Sequence, residues 1–323
     1  MKLISRRKFG LALVAVCTFG VFNSGNVSAQ ALTSTTFQIT PALQELKVDP
    51  GHQSSFEVTL LNSSSESVPF RVYTRNFTAN GIEGQITFGD DDSSSYAAGD
   101  WLVPSVTDIV LPPNGEQTVE VMVSVPDNAE PGGHYGSILF EQIIPQPTSG
   151  KNSEVQVATR MVSLVYFTVS GDIIEAGQVL GATDGDNCTA VVCGLSVAKF
   201  FDHGPVPFEF LFTNTGNVHV RPKGTITIRQ FGREVAKINV EDRAVLPNSQ
   251  RKFTTNWDRQ FLIGPYEATL DLVYGTRNNT ITAKASFWAF PWQVALAIVL
   301  IVLIAIGIVI SRKYHRVKRL KGQ

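Results

Sequence analysis

Three short phrases recur in this chain in the same order, and that recurrence constrains its fold more than any other feature. "FEVTLLNSSSESV" from Phe56 is answered by "FEFLFTNTGNVHV" from Phe208, a strand-like stretch closing at Asn62 or Asn214 on a polar turn. "VLPPNGEQTVEV" from Val110 is answered by "VLPNSQRKFTTN" from Val245. "PGGHYGSILFE" is answered by "LIGPYEATLDL", which sets Gly133 and Tyr135 against Gly264 and Tyr266. An ordered internal repeat means two copies of one architectural unit. Segments such as "VPFRVYTRNF", "MVSLVYFTV" and "TITIRQF" alternate apolar with polar residues, or run β-branched and aromatic, between Asn, Ser, Gly and Pro turns. That is the period of strands, so the expected fold is all-β: two tandem immunoglobulin-like β-sandwiches.

The copies differ in length. The first is longer between its anchors by about 20 residues, which fall in "NGIEGQITFGDDDSSSYAAGDWLVP", from Asn80 to Pro104. We place the first sandwich at residues 30–171 and the second at 172–287. "PQPTSGKNSE" reads as a long hairpin loop inside the first copy, with an interdomain linker as the competing reading.

The flanking segments are of another kind. Lys2, Arg6, Arg7 and Lys8 precede the apolar run "FGLALVAVCTFGVF" and the small residues Val27 and Ala29, the pattern of a secretory signal peptide over 1–29. "SRRKF" resembles a twin-arginine signal, and Sec export fits equally; Cys17 is an apolar filler of the leader. "WQVALAIVLIVLIAIGIVI" runs from Trp292 to Ile310 without a charge, long enough to cross a bilayer as a helix. We expect a membrane helix over 288–311, with Phe287, Trp288, Phe290 and Trp292 as its aromatic belt. Arg312, Lys313, Arg316, Lys318, Arg319 and Lys321 follow in a tail over 312–323, which the positive-inside rule assigns to the cytoplasm. The lipid bilayer is thus one expected partner, and the sandwiches are expected outside the cell.

Of the 27 Lys and Arg, four lie in the leader and six in the tail, so the remaining chain has 17 against all 28 acidic residues. So acidic an exterior disfavours nucleic acid as a partner. Cys188 and Cys193 read as a short-loop disulfide in an exported chain. The competing two-cysteine metal site would lack further ligands, since His203, the nearest histidine, stands ten positions on.

Catalytic signatures do not assemble. Ser196–Lys199 and Ser249–Lys252 both satisfy Ser-x-x-Lys, yet both lie in strand-like sequence rather than at a helix start. His52, His134, His203 and His219 are scattered without metal spacing, and the run Asp90, Asp91, Asp92 reads as a solvated loop, with calcium coordination as the competing reading. No enzyme activity, metal or cofactor is expected. The 80–104 insertion is the candidate contact, because binding residues concentrate on loops over a rigid sheet. Tyr96 and Trp101 offer aromatic faces to sugar rings, with Asp90, Asp91, Asp92 and Asp100 as acceptors and His134 as a further contact. The bland alternative for Trp101 is a plug in the sandwich core. Gly133 and Gly264 are read as turn glycines, and Tyr135 and Tyr266 as corner tyrosines whose hydroxyls tie a crossing loop to the strand.

Leader, a sandwich with "TRNFTANGIEG" and "PGGHYGSILFE", a second sandwich, one apolar helix and a basic tail together resemble the WxL-interacting protein family of Gram-positive cell surfaces. The resemblance covers nearly the whole layout. It departs at Gly136-Ser137-Ile138, where the family more often has Gly-Gly-Ile, and at the cysteine pair. It implies that the first domain associates with peptidoglycan or another wall polymer and the second with a host or secreted surface protein. The chain lacks a Leu-Pro-x-Thr-Gly signal before its apolar run, so wall contact is expected to be non-covalent. A second reading is a chaperone-like assembly accessory that pairs a sheet edge with another chain's strand.

Overall fold

The computed structural model describes residues 36–89, 95–144, 158–181 and 194–320. The expected leader, Asp90–Asp92, the "PQPTSGKNSE" loop, Cys188 and Cys193 lie outside the described residues. The first sandwich contains β1 (Phe37–Thr40), β2 (Leu43–Val48), β3 (Gln53–Asn62), β4 (Val68–Asn80) and β5 (Gln85–Gly89). It continues through β6 (Leu102–Pro104), β7 (Asp108–Leu111), β8 (Glu116–Ser124), β9 (Gly132–Gln142) and β10 (Arg160–Val169). One sheet has the order β1-β3-β8-β6, and the facing sheet β2-β10-β9-β4-β5, with β7 also on β4.

The second sandwich contains β11 (Gly177–Leu180), β12 (Phe200–Phe201), β13 (Val206–Asn214) and β14 (Lys223–Gln230). It is completed by β15 (Arg233–Val240), β16 (Gln250–Trp257), β17 (Gly264–Tyr274) and β18 (Asn279–Ala289). Its sheets are β11-β13-β16 and β12-β18-β17-β14-β15. The pairing repeats strand for strand: β1–β3 corresponds to β11–β13, and the parallel pair β2–β10 to the parallel pair β12–β18. What the first copy adds is β6, β7 and one 3₁₀ turn, Gly99–Trp101.

Each copy closes on its own core. Leu60, Phe70, Leu111, Ile138, Phe140 and Phe167 are fully buried in the first, and Phe208, Phe210, Phe212, Ile226, Leu270 and Phe287 in the second. Hydrophobic burial of this kind is the main driving force for either sandwich.

The equivalence of the copies rests on a buried polar group. Asn62 is fully buried at the end of β3; its amide donates to Glu66 O at 2.8 Å and Pro112 O at 2.9 Å and accepts from Ser64 N–H at 2.9 Å. Asn214, likewise fully buried at the end of β13, donates to Val218 O at 2.8 Å and Val245 O at 2.9 Å and accepts from Gly216 N–H at 2.9 Å. A buried amide is tolerated only when its donors and acceptors are met, and here one side chain fixes two loops at once.

The structure shifts the register of the third repeated phrase by one residue. Core-facing positions of β9 are His134, Gly136, Ile138 and Phe140, while those of β17 are Tyr266, Ala268, Leu270 and Leu272. Tyr266 therefore corresponds to His134, and Gly264, at φ +90°, corresponds to Gly132, at φ +130°, rather than to Gly133. A slip of one residue turns every side chain to the opposite face. Tyr135 consequently points away from the core that Tyr266 fills.

The C-terminal helix, α1 (Trp292–Leu320), also begins later than the apolar composition suggests. Trp288 and Ala289 end β18, where they pair with Phe200 and Phe201, and Phe287 is a core residue rather than part of an aromatic belt. The segment Trp292–Arg312, 21 residues with mean hydropathy 3.3, is long and apolar enough to cross a membrane.

Asn62→Ala and Asn214→Ala should each cost about 2–3 kcal/mol, because three backbone partners lose their hydrogen bonds in a buried site. Denaturant unfolding of the two-sandwich fragment measures this. A loss below about 0.5 kcal/mol in both variants would contradict the role given to these amides.

Candidate functional site

Part of the outer face of the sheet β2-β10-β9-β4-β5 is covered. Phe77, Tyr135 and Tyr166 form a buried aromatic patch on it, capped by Leu246 from the second sandwich. Ring centroids of Tyr135 and Tyr166 lie 5.2 Å apart at 89°, and Phe77 sits 5.9 Å from each. His219 of the second sandwich completes the patch, edge-on to Tyr166 at 4.9 Å and to Tyr135 at 5.8 Å. Its Nδ1 lies 3.3 Å from the Tyr135 hydroxyl. A neutral ring accepting the phenol proton there satisfies both groups in a site poor in water.

Electrostatics follow from that burial. The pKa of His219 is lowered to about 4, chiefly by loss of solvent, with Arg221 adding to the shift and Glu45 opposing it. Burial raises the Tyr135 and Tyr166 phenols and lowers the His134 imidazole. These aromatic groups are neutral at physiological pH, as a water-excluded junction demands.

The phrase "PGGHYG" belongs to this junction. Gly133 N–H donates to Asn217 O at 2.7 Å, and a Cβ on Gly132 would stand 2.6 Å from the same oxygen. The left-handed backbone of Gly132 and the close approach at Gly133 both require glycine. Asn217 in turn donates from Nδ2 to Asp172 O at 2.9 Å and to Pro131 O at 3.2 Å, and accepts from Ile174 N–H at 2.8 Å. One side chain thus gathers the first sandwich, the connecting segment and the second sandwich.

The tyrosines separate accordingly. Tyr266 keeps the corner role: its hydroxyl accepts from Ile263 N–H at 3.3 Å, while its ring packs in the core against Trp257 and Phe287. Tyr135 instead ties one sandwich to the other.

The insertion, expected to face a ligand, is directed inward. Trp101 is 8% exposed, 4.6 Å from the His134 ring and 5.3 Å from Phe167, so it plugs the core. His134 is buried beside it, its Nε2 on Glu130 O at 2.8 Å, and cannot reach a ligand. Tyr96 accepts at its hydroxyl from Asn248 of the second sandwich, 3.1 Å away. The β4–β5 turn follows the same course: Ile82 O accepts from Lys252 N–H at 2.6 Å, and Glu83 pairs with Lys252 Nζ at 2.9 Å. Of the described insertion residues proposed for binding, only Asp100 stays exposed. A bulky loop between two packed bodies buries more apolar area as a joint than as a free arm, and its aromatics follow that gain.

Beside the joint runs an open groove that sequence reasoning missed. Lys47, Asp49, His52 and Ser170 face Glu175, His219 and Thr276 across a cavity of about 680 Å³. A second hollow of about 270 Å³ borders it, sharing Glu175, His219 and Thr276 and adding Glu45, Arg221 and Asp242. Ser170 donates to Asp49, and Glu175 accepts from Thr276 N–H at 2.8 Å and Thr276 Oγ1 at 2.9 Å. Arg221 is clasped by Glu45. Among the described residues, the side chains of Lys47 and His52 have no hydrogen bond or ion pair within the protein. The serine hydroxyl donates straight to a carboxylate, an arrangement that orders the wall rather than activating a nucleophile. Donors and acceptors of both signs line this open cleft between the two sandwiches. One sequence signal could have disclosed it. Val218 and His219 stand in a turn where the first copy has polar Glu66 and Ser67.

Residues 41–142 match the family described as WxL Interacting Protein, peptidoglycan binding domain, and the match supports membership of the chain in the WxL-interacting protein family. No curated protein matches. Among solved structures, the class 5 fimbriae chaperone CfaA is 14% identical, covering 78% of this chain and 98% of its own at a TM-score of 0.41. The E. coli chaperone DraB is 12% identical over 78% of this chain and 96% of its own, TM-score 0.37. The Pseudomonas aeruginosa CupB2 chaperone is 11% identical over 77% and 100%, TM-score 0.36.

The lowered His219 pKa makes the joint sensitive to acid. Between its folded value near 4 and the unfolded value near 6.5, the unfolded state binds a proton that the folded state does not. Stability therefore rises with pH across that window, by at most about 3 kcal/mol from this group. Denaturant unfolding at successive pH values should show the slope, and His219→Asn should flatten most of it, leaving the smaller part due to His134. An unchanged slope in the variant would contradict the assignment. Trp101→Ala should cost about 3–5 kcal/mol as a core cavity. A fully stable variant would return the tryptophan to the surface.

Proposed function

We propose, with membership of the WxL-interacting protein family as the premise, that this is a non-catalytic cell-surface protein. Its first sandwich binds peptidoglycan, and α1 holds it in the cell membrane. The observation that carries this reading is that the matched segment, residues 41–142, includes Lys47, Asp49 and His52, which form one wall of the junction groove. Peptidoglycan offers hydroxylated amino-sugar rings and short peptides with free carboxylates. Lys47 and His52 are unoccupied donors suited to such carboxylates, and Asp49, Ser170 and Thr276 suit hydroxyl and amide groups. An open cleft lets a long polymer pass through rather than end inside.

The membrane part rests on chemistry alone. An apolar helix with no acidic residue and no charge before Arg312 fits a simple anchor, and the lysines and arginines after it favour a cytoplasmic C-terminus. That orientation leaves both sandwiches outside, where the wall is. The second sandwich supplies the opposite wall of the groove, which makes it part of the site as well as a spacer.

Retention of the two-sandwich fragment on purified cell wall tests the reading. Combined Lys47→Ala and His52→Ala should weaken retention about tenfold, the loss of one or two charge-assisted hydrogen bonds. Asp100→Ala should leave it unchanged. Equal retention of the double variant and the parent would remove the groove from the proposal; no retention of the parent would remove the wall.

A further inference from the structure

The end of the second sandwich from which α1 departs carries an exposed apolar rim. β17 starts at Gly264 opposite Ala289, the last residue of β18, and the hairpin closing β14 onto β15 lies at the same end, with Arg229 opposite Glu267. Three connections therefore meet there: the Phe231–Gly232 turn, the loop before β17 and the link from β18 to α1. Phe231 is 81% exposed, and Phe261, Ile263, Trp288, Phe290 and Trp292 are each about half exposed.

The turn violates a local rule in a way that points outward. A two-residue hairpin loop with both residues left-handed is built for Asn-Gly, yet here it is Phe231-Gly232, at φ +50° and +77°. The other left-handed non-glycine residues described are Asn114, Asn248 and Asn278. A bulky side chain in this conformation is strained, and this one gains no burial in the protein to offset the strain. In the loop before β17, fully buried Leu262 pins the backbone while its neighbours Phe261 and Ile263 project into solvent. Two separate loops are thus held rigidly with their apolar side chains outward.

The chain itself dictates what covers them. Between Ala289 and Trp292, where the apolar helix begins, the backbone spans at most about 10 Å. That link has no slack: Phe290 N–H donates to Phe201 O at 2.9 Å, Trp292 N–H to Phe290 O at 2.9 Å, and Gln293 Nε2 to Asp202 Oδ2 at 2.9 Å. Whatever surrounds the first turn of α1 must also meet the rim.

We infer that the rim is a membrane seat: Phe231, Phe261 and Ile263 insert into the outer lipid interface beside Trp288, Phe290 and Trp292. Aromatic side chains favour that zone, and two loops besides the helix give the sandwich three points of support. Three supports fix a direction, whereas a single helix leaves the ectodomain free to tilt. The inference rests on α1 spanning the bilayer.

Nitroxide labels on the full chain, reconstituted in phosphatidylcholine vesicles, test it with Cys17, Cys188 and Cys193 replaced by Ser. A label at Phe231→Cys should sit about 5–10 Å below the phosphates by its relative access to oxygen and a water-soluble relaxant. Labels at Arg277→Cys, at the far end of the sandwich, should be aqueous, and at Leu300→Cys deep. A Phe231 label as aqueous as the Arg277 label, with Leu300 deep, overturns the seat and leaves the anchor standing. An aqueous Leu300 label overturns the anchor and the seat together. A second readout keeps the cysteines: Phe231→Trp should add fluorescence that bromine high on the acyl chains quenches, and fluorescence insensitive to bromine would count against insertion.

Discussion

The contact of Tyr135 and Tyr166 with His219 and Leu246 is the interaction on which the rest of this structure depends. Without it the chain would be two independent sandwiches on a short connection, and the groove would have no second wall. The contact explains features that otherwise look unrelated. Gly132 and Gly133 permit the approach of Asn217, the 80–104 insertion turns toward Lys252 and Asn248, and a histidine replaces a serine in the Asn214 turn. Polar pairs at its edge, such as Glu45 with Arg221, are exposed enough that they select an orientation more than they stabilise it.

Much of the architecture was legible in the sequence because it is set by local chemistry. Period-two alternation and turn residues disclose strands, and the recurrence of Asn62 and Asn214 reports a side chain that must satisfy the same three partners in both copies. The third phrase was paired one residue out of register for an equally physical reason. In β9 the first nine residues are all buried, since one face meets the core and the other is covered as well, at Gly133 and Tyr135 by the second sandwich. Alternation vanishes in a strand covered on both sides, and with it the means of telling the faces apart. A shared glycine and tyrosine then suggest a match that the two faces contradict.

The candidate site was less legible, and Trp101, which the sequence left open between ligand face and core plug, shows why. An aromatic residue in an insertion suits either a ligand face or a joint, and composition carries no information on what lies opposite. Lys47, His52 and Glu175 form a groove only because strands distant in sequence end at the same junction. Nothing in "LKVDPGHQ" distinguishes a groove wall from an ordinary polar turn. Two copies of one fold thus differ in what covers equivalent surfaces. The first copy gives up the outer face of a sheet to the joint; the second keeps its tyrosine in the core and bears its exposed aromatics at one end.

The joint and the apolar rim lie at opposite ends of the second sandwich. β17 runs from Gly264, at the end where α1 leaves, to Tyr274, beside the turn where Thr276 meets Glu175 on the groove. Eleven residues of strand extend about 35 Å. With α1 in the bilayer and the rim seated on it, the groove stands roughly that far above the lipid surface. A flexible tether would leave its height and tilt undefined; on the proposed seating β17, continuous from the rim to the groove, would set both. On the proposed reading the second sandwich is a strut, and a wall polymer in the groove would pass at a distance set by strand length.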